Sequence, residues 1–399
     1  LASAANTGPV TLDAGPGAVS LRRGDGTVPL AAGDLRPGHV VGVKYDASGG
    51  GRFRLLHPAL PVPTPADAGR TLQVDAAGTG YQLAGPLRAF RNGIINGAFD
   101  VWQRGTAITC RTNRAEYGPD RFYLWNAAGT DGDYTLQRTM GADGIGYRCA
   151  IICNRFVGTG QAQRFAQIIE EANVRRFAGR RVTLSFRALK SVTWNQGVSV
   201  LLVTGTVADE GSTALESGAW ASMAYPLNTL VPVTPADSRF SYTVDIPSDV
   251  REMAFKLHWD NSGLAAGAVL EIGEVQVEAS PVSTPFERVP IEIETARCQR
   301  YYQRVGPGMS LTTDGGTTAY VSVPFGRMRR TPTAGLVSPS VTVAVPAVIT
   351  TTSSNTAIGG AKMTPAGGYV VLTGFGGLGS NNSGTIDQTE DWLALDAEL

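Results

Sequence analysis

Short runs of β-branched and aromatic residues, cut apart by glycine, proline, asparagine and aspartate, recur along almost the whole chain. Runs of this kind suit strands, and no long apolar repeat of 3.6 residues competes with them. With 49 glycines and 23 prolines in 399 residues, the turns that so many strands require are available. The fold class is therefore all-β, and the length allows two or three domains with their own cores.

Changes of pattern divide the chain into five parts. Residues 1–60 read as a small N-terminal β module, with strands at Val10–Leu12, Ala18–Leu21 and Gly38–Tyr45 and a hairpin closed by Phe53–Leu56. Residues 61–89 read as a Pro/Gly-rich linker, a semi-rigid spacer. Residues 90–289 form the largest unit. Val182–Ala188, Phe240–Ile246 and Met253–Trp259 alternate apolar with polar, as half-buried strands do, whereas Val198–Val203 is nearly all apolar and suits a strand covered on both faces. In Leu270–Val277 the apolar phase slips at Gly273. A β-bulge there keeps Leu270, Ile272, Val275 and Val277 all inward. The expected architecture is an antiparallel β-sandwich, with Ala172–Ala178 its one helical stretch. Behind Pro290, the residues Ile291, Thr295, Cys298, Tyr302 and Val305 recur at helical spacing, which predicts a connecting helix over 290–305. Its narrow apolar stripe suits a seam around a three-fold axis. Residues 306–399 return to β as a C-terminal tip domain, with strands at Ala319–Phe325, Val341–Val345, Tyr369–Leu372 and Asp391–Leu399.

Composition removes several function classes. A formal net charge of zero offers no field for nucleic acid or anionic lipid. No run of about 18 apolar residues is present to span a membrane, and Leu1–Ala5 lacks the pattern of a signal peptide. The missing Met suggests that the start of the chain lies further upstream. The cysteines Cys110, Cys149, Cys153 and Cys298 are too widely spaced for a disulfide scaffold and read as buried thiols.

No enzymatic motif survives inspection. Gly374–Gly379 matches G-x-G-x-x-G, but the polar stretch Ser380–Gly384 follows where a dinucleotide site needs a helix, so it reads as a turn. His39, His57 and His258 have no nucleophile nearby in sequence. Glu170 with Glu171, and Glu292 with Glu294, are the adjacent carboxylates that glycoside hydrolysis would need; the alternative is a solvated face. Among the tryptophans, Trp102 and Trp259 read as core. Trp194 and Trp220 lie in polar, turn-rich surroundings. They are candidates to stack on a sugar ring, the alternative being rings folded back onto the sandwich edge. Asn381 and Asn382, in the glycine-rich loop, are candidates to bond sugar hydroxyls.

Asn92–Thr106 resembles the opening strand of the carbohydrate-binding-module-like jelly roll of phage tail fibres, and Tyr117–Phe122 resembles the segment that follows it. Gln167–Glu170, Ala178–Phe186, Val275–Ala279 and Thr284–Arg288 continue in the expected order, and Ala296–Gln303 is similar to the helix after the domain. The resemblance covers roughly half the chain. It implies a tail-fibre or receptor-binding protein located in the virion: a non-enzymatic, homotrimeric adhesin. Such a protein joins other phage tail or baseplate proteins through its N-terminal module and binds host surface glycan without nucleic acid or membrane insertion. Ile291, Cys298, Tyr302 and Val305 would then line the trimer helix. No cofactor is expected, save that Asp100, in the position of the calcium-binding acid of related sugar-binding jelly rolls, pairs with Glu278 as a possible calcium site. The alternative is a tailspike depolymerase. Such enzymes usually carry a repetitive parallel β-helix, and no repeat of that kind is found.

Overall fold

The computed structural model describes residues 6–13, 18–23, 28–30, 35, 43–47, 51–55, 71–74, 81–84, 90–127, 133–141, 144, 146–155, 162–260, 262–338, 340–345, 349–353, 356–379 and 382–398. They fall into two compact units, Leu1–Arg88 and Ala89–Leu399.

In the first unit, β1 (Val10–Asp13), β2 (Ala18–Arg23), β3 (Val28–Pro29), β4 (Val43–Asp46) and β5 (Arg52–Leu55) form one sheet in the order β1-β2-β5-β4, with β3 against β2. The expected hairpin is β4–β5. Arg52 and Arg54 both pair with Asp46 across its turn. Leu21, Leu30 and Phe53 make a small core. The stretch read as a linker contains an antiparallel pair, β6 (Thr71–Val74) with β7 (Tyr81–Ala84). Pro58, Pro61, Pro63 and Pro65 lie outside the described residues.

The second unit is led by a sandwich. Its elements are β8 (Ala107–Thr109), β9 (Ala115–Tyr117), β10 (Tyr123–Trp125), β11 (Tyr134–Met140), β12 (Tyr147–Cys153), β13 (Ala162–Ile169), α1 (Glu171–Val174), β14 (Arg181–Lys190), β15 (Val198–Gly205), α2 (Ser212–Ser217), β16 (Ala224–Val231), β17 (Ser238–Asp245), β18 (Glu252–Asp260) and β19 (Val269–Glu278). One six-stranded sheet runs β16-β15-β18-β13-β10-β9 and the other β17-β14-β19-β12-β11-β8. All pairings within both sheets are antiparallel. Val200, Phe165, Phe255 and Leu257 of the first meet Leu184, Phe186, Ile151 and Ile272 of the second in a closed core. Each such side chain contributes roughly 1.5–3 kcal/mol through burial. The register of β14 on β19 shifts between Ser185 and Arg187, so the bulge predicted around Gly273 is present, and Leu270, Ile272, Val275 and Val277 are all buried. The helix expected at Ala172–Ala178 is the single turn α1 followed by irregular chain.

The segment read as an opening strand, 92–106, is irregular. Two asparagines pin it. Asn92 accepts the Ile94 and Val277 amides at 2.9 and 3.0 Å and donates to the Val275 carbonyl. Asn96, at φ 60°, accepts from Val101 and donates to the Val101 and Asp120 carbonyls. Gly97 lies so close to β19 that a Cβ would sit 2.1 Å from the Val275 oxygen.

The connecting helix α3 spans only Ile291–Gln299. Beyond it come β20 (Tyr302–Val305), β21 (Ser310–Asp314), β22 (Thr318–Val323), β23 (Thr333–Leu336), β24 (Val341–Val345), β25 (Ile349–Ser353), β26 (Ala357–Thr364), β27 (Gly367–Thr373), β28 (Ser383–Ile386) and β29 (Leu393–Asp396). A seven-stranded sheet, β25-β24-β28-β21-β22-β27-β26, and a three-stranded sheet, β20-β29-β23, share a core of Val321, Val343, Leu372, Trp392, Leu393 and Leu395. Tyr302 and Val305 are therefore strand residues, paired with Asp396 and Leu393. They do not line a helix. Cys298 is buried with Ile95, Val101 and Tyr301, so the helix spends that face on the sandwich. Of the four residues assigned to a trimer seam only Ile291 is exposed, at 48%.

A charged joint fastens the C-terminal sheets to the sandwich. Arg104 stacks over the Tyr302 ring at 3.6 Å and pairs with Asp396 at 3.2 Å. Arg121 stacks over Tyr301 at 3.5 Å, donates to the Ile168 carbonyl at 2.7 Å and pairs with Glu398. Glu170 pairs with Arg300 and with Arg329. Burial would lower the pKa of Arg121, but Glu398 and the tyrosines beside it outweigh this and hold it above its ordinary value. Burial raises the Asp120 carboxyl to about 6, against the pull of Arg104 and of its bonds to Gln103.

Candidate functional site

Alternation in β18 sends Met253, Phe255, Leu257 and Trp259 into the core, and so sends Ala254, Lys256 and His258 to the opposite face of the sheet. Register then builds three rows across that outer face. One row carries Val203, Ala254 and Ile168. The next carries Asn228, Leu201, Lys256, Ala166, Tyr123 and Tyr117. The third carries Leu230, Ser199, His258, Arg164 and Trp125.

The segment 206–223 covers the first two rows. Leu215 of α2 and Trp220 cluster with Leu201, Val203, Ala254, Ala166, Ile168 and Tyr123. Gly218 ends α2 at φ 75°, a left-handed conformation that costs glycine little, and its amide closes the turn on the Ala214 and Leu215 carbonyls. Trp220 Nε1 donates to the Glu210 carbonyl at 2.8 Å. The Glu210 carboxylate accepts the Ala221 amide, and the Glu252 carboxylate accepts the Glu210 amide, both at 2.9 Å. Burial, helped by the neighbouring Glu210, pushes the Glu252 carboxyl up to about 8. Glu216 of α2 reaches down onto the sheet. Its carboxylate takes Lys256 Nζ at 2.8 Å, Arg164 Nε at 3.1 Å and the Tyr123 hydroxyl at 2.8 Å.

Among the described residues no segment covers the third row, although Trp125 packs at its edge against the Leu215 and Trp220 cluster. Leu230 is 64% exposed, and Ser199, His258, Arg164 and Trp125 are half-buried. Five adjacent strands at about 4.8 Å spacing make the row about 19 Å long, enough for several sugar rings. An aromatic ring stands at one end, a leucine at the other, and a hydroxyl, an imidazole and a guanidinium lie between. Among the described residues, the Ser199 hydroxyl and the His258 imidazole have no hydrogen-bond partner, and Arg164 has only Glu216. Burial, with Arg164 and Lys256 adding to it, holds His258 below the usual histidine range, so it is neutral at neutral pH and offers one donor and one acceptor. The row can stack an apolar ring face and bond hydroxyls.

The residues singled out from sequence fare differently. Trp194 is 1% exposed and packs on Trp259 at 5.4 Å; Trp220 is 3% exposed and belongs to the cover. Neither offers a ring to a ligand, because each polar loop folds its ring inward. Asn382 donates to the Leu378 carbonyl at 2.8 Å and fixes its own loop, while Asn381 lies outside the described residues. That loop leads into the outer face of the seven-stranded sheet, where Ser383, Thr312, Tyr320 and Val371 form a row and Tyr320 neighbours Tyr369. Asp100 and Glu278 have separate partners. Glu278 accepts from Gln276 and from the Thr284 amide and hydroxyl, with Arg91 at 3.5 Å, whereas Asp100 faces Arg288 at 3.8 Å. Among the described residues no group of three or more His, Cys, Asp or Glu could hold a metal ion. Glu170 and Glu294 are buried in ion pairs, whereas Glu292 is exposed and Glu171 meets Arg175 and Arg251 at the surface, so two of the four carboxylates sit on a solvated face. The four cysteines are free and buried, as expected.

Sequence pattern does not single out Trp125, Arg164 or Ser199, and it weighs His258 only as a catalytic group. The available signal was the polar phase of β18 and of Ala162–Ile169, which marks a second, wetter face on strands otherwise read for their core.

No protein-family model matches the chain, and no curated protein sequence matches it. Several solved structures are similar to it. One is a structure of CBM4, 17% identical, covering 46% of this chain and 97% of that one at a TM-score of 0.29. A second is a putative sugar binding protein from Bacteroides thetaiotaomicron, 12% identical, covering 47% and 99% at a TM-score of 0.30. A third is the enzymatically active domain of tailspike protein 4 from bacteriophage CBA120, 14% identical, covering 49% and 22% at a TM-score of 0.28.

Proposed function

We propose that this chain is a glycan-binding adhesin of the phage tail-fibre type, without enzymatic activity, that works as a homotrimer attached through its N-terminal unit. The observation that carries the reading is the row Leu230–Ser199–His258–Arg164–Trp125: an aromatic ring at one end, an apolar side chain at the other, and between them a hydroxyl and an imidazole without a protein partner among the described residues and a guanidinium only partly engaged by Glu216. These groups face solvent, and sugar hydroxyls can replace the water on them with hydrogen bonds of similar strength. The joint of stacked arginines and ion pairs holds the C-terminal sheets to the sandwich, as a fibre under load requires. A single row of this size binds weakly, about millimolar or −4 kcal/mol, so three copies per fibre supply the avidity. Ile291 and Ile293, exposed on α3, are the apolar groups available there for contact between copies.

The test is a glycan array probed with the purified chain and with Trp125→Ala, beside sedimentation of both. The expected result is selective glycan binding by a trimer, weakened at least about ten-fold in the variant, or 1.4 kcal/mol. Binding that ignores the substitution would remove the row from the account; release of reducing ends from bound glycan would favour a depolymerase.

A further inference from the structure

We infer that the open row selects acidic glycans, with Arg164 receiving a sugar carboxylate; this rests on the glycan-binding reading above and names its ligand class. The covered half of the same face already shows the chemistry. There a carboxylate, that of Glu216, is held by Lys256, Tyr123 and Arg164. Lys256 and Arg164 against Glu216 leave one positive charge over. That charge reaches the open row through Arg164, whose nearest contact with Glu216 is Nε at 3.1 Å and whose side chain is 21% exposed. Among the described residues nothing takes its two terminal amino groups. A guanidinium in this state offers a planar fork that matches a carboxylate with two parallel hydrogen bonds.

Its neighbours in the row are complementary. Trp125 on one side can cover the ring face of the sugar that bears the acid, and His258 on the other can donate to its ring substituents. One acid stands beside the middle of the row: Asp260, exposed two residues beyond His258 on β18 and in register with Ala162, lies diagonal to Arg164 and accepts the Ser262 amide at 2.7 Å. It disfavours an anion on the β18 side of Arg164 and leaves the Trp125 side, on β10, as the place for the carboxylate.

The experiment is an array of uronic- and ulosonic-acid glycans beside neutral ones, with the acidic spots re-probed after methyl esterification, which removes charge and keeps the skeleton. Acidic glycans are expected to dominate. Esterification and Arg164→Gln should each weaken binding roughly 10- to 100-fold, and Arg164→Lys should recover only part of it. Binding by the unmodified chain should also fall as salt is raised from 50 to 500 mM, a readout independent of how the variants fold. Neutral glycans binding as well as acidic ones, or indifference to esterification and salt, would overturn the acidic preference and leave glycan binding standing. An array with no binding at all would overturn both.

Discussion

Glu398→Ala tests whether the buried joint holds the C-terminal sheets to the sandwich. Glu398 is 4% exposed and Arg121 2%, and their ion pair is closed over by the Tyr301 ring. Removing the carboxylate leaves the guanidinium with one hydrogen-bonded carbonyl, that of Ile168, an aromatic face and only the more remote charge of Glu170. Arg121 cannot escape by losing its proton. Breaking a buried ion pair by removing one partner costs about 3–5 kcal/mol. At roughly 2 °C per kcal/mol for a unit of this size, the melting temperature should fall by about 6–10 °C. Calorimetry gives the shift, and limited proteolysis shows whether 300–398 loosens before the sandwich. The paired change Arg121→Met with Glu398→Leu removes both charges and should regain most of the loss. A fall of less than about 1 kcal/mol in the single variant, or a double variant no better than the single, would refute the reasoning.

Three further outcomes follow from the structure. Glu252 has a folded pKa of about 8 against an ordinary value of 4.5, so its contribution to stability is complete below about pH 4.5 and is lost as pH rises through 8; Glu252→Gln should flatten thermal stability across that window, and an unchanged pH profile would contradict it. Gly97→Ala would press a methyl group onto the Val275 carbonyl, so a loss of about 1–3 kcal/mol in urea unfolding is expected. Burial raises the pKa of all four cysteines, so thiol reagents should modify them only at the rate of unfolding; rapid labelling of the native chain would count against the packing.

Sequence pattern reached as far as single strands. The alternation in Phe240–Ile246 and Met253–Trp259, and the phase slip at Gly273, are properties of one segment at a time, and each found its element. What failed depended on partners far along the chain. Tyr302 and Val305 continue a helical period, yet Leu393–Asp396, some 90 residues later, draws them into a sheet. Trp194 and Trp220 have polar neighbours in sequence, but their rings turn towards the core and the sheet. Trp125 sits in a three-residue strand with no periodicity to read, and only the register through Arg164, His258 and Ser199 makes it part of a row.

Oxidative side-chain footprinting by mass spectrometry, with and without the best-binding glycan from the array, tests the central claim most directly. The row requires protection of Trp125, His258 and Leu230, with Tyr320 and Tyr369 on the seven-stranded sheet unchanged. Protection of Tyr320 and Tyr369 with Trp125 and His258 still fully reactive would place the ligand elsewhere and contradict the assignment of the glycan to this face.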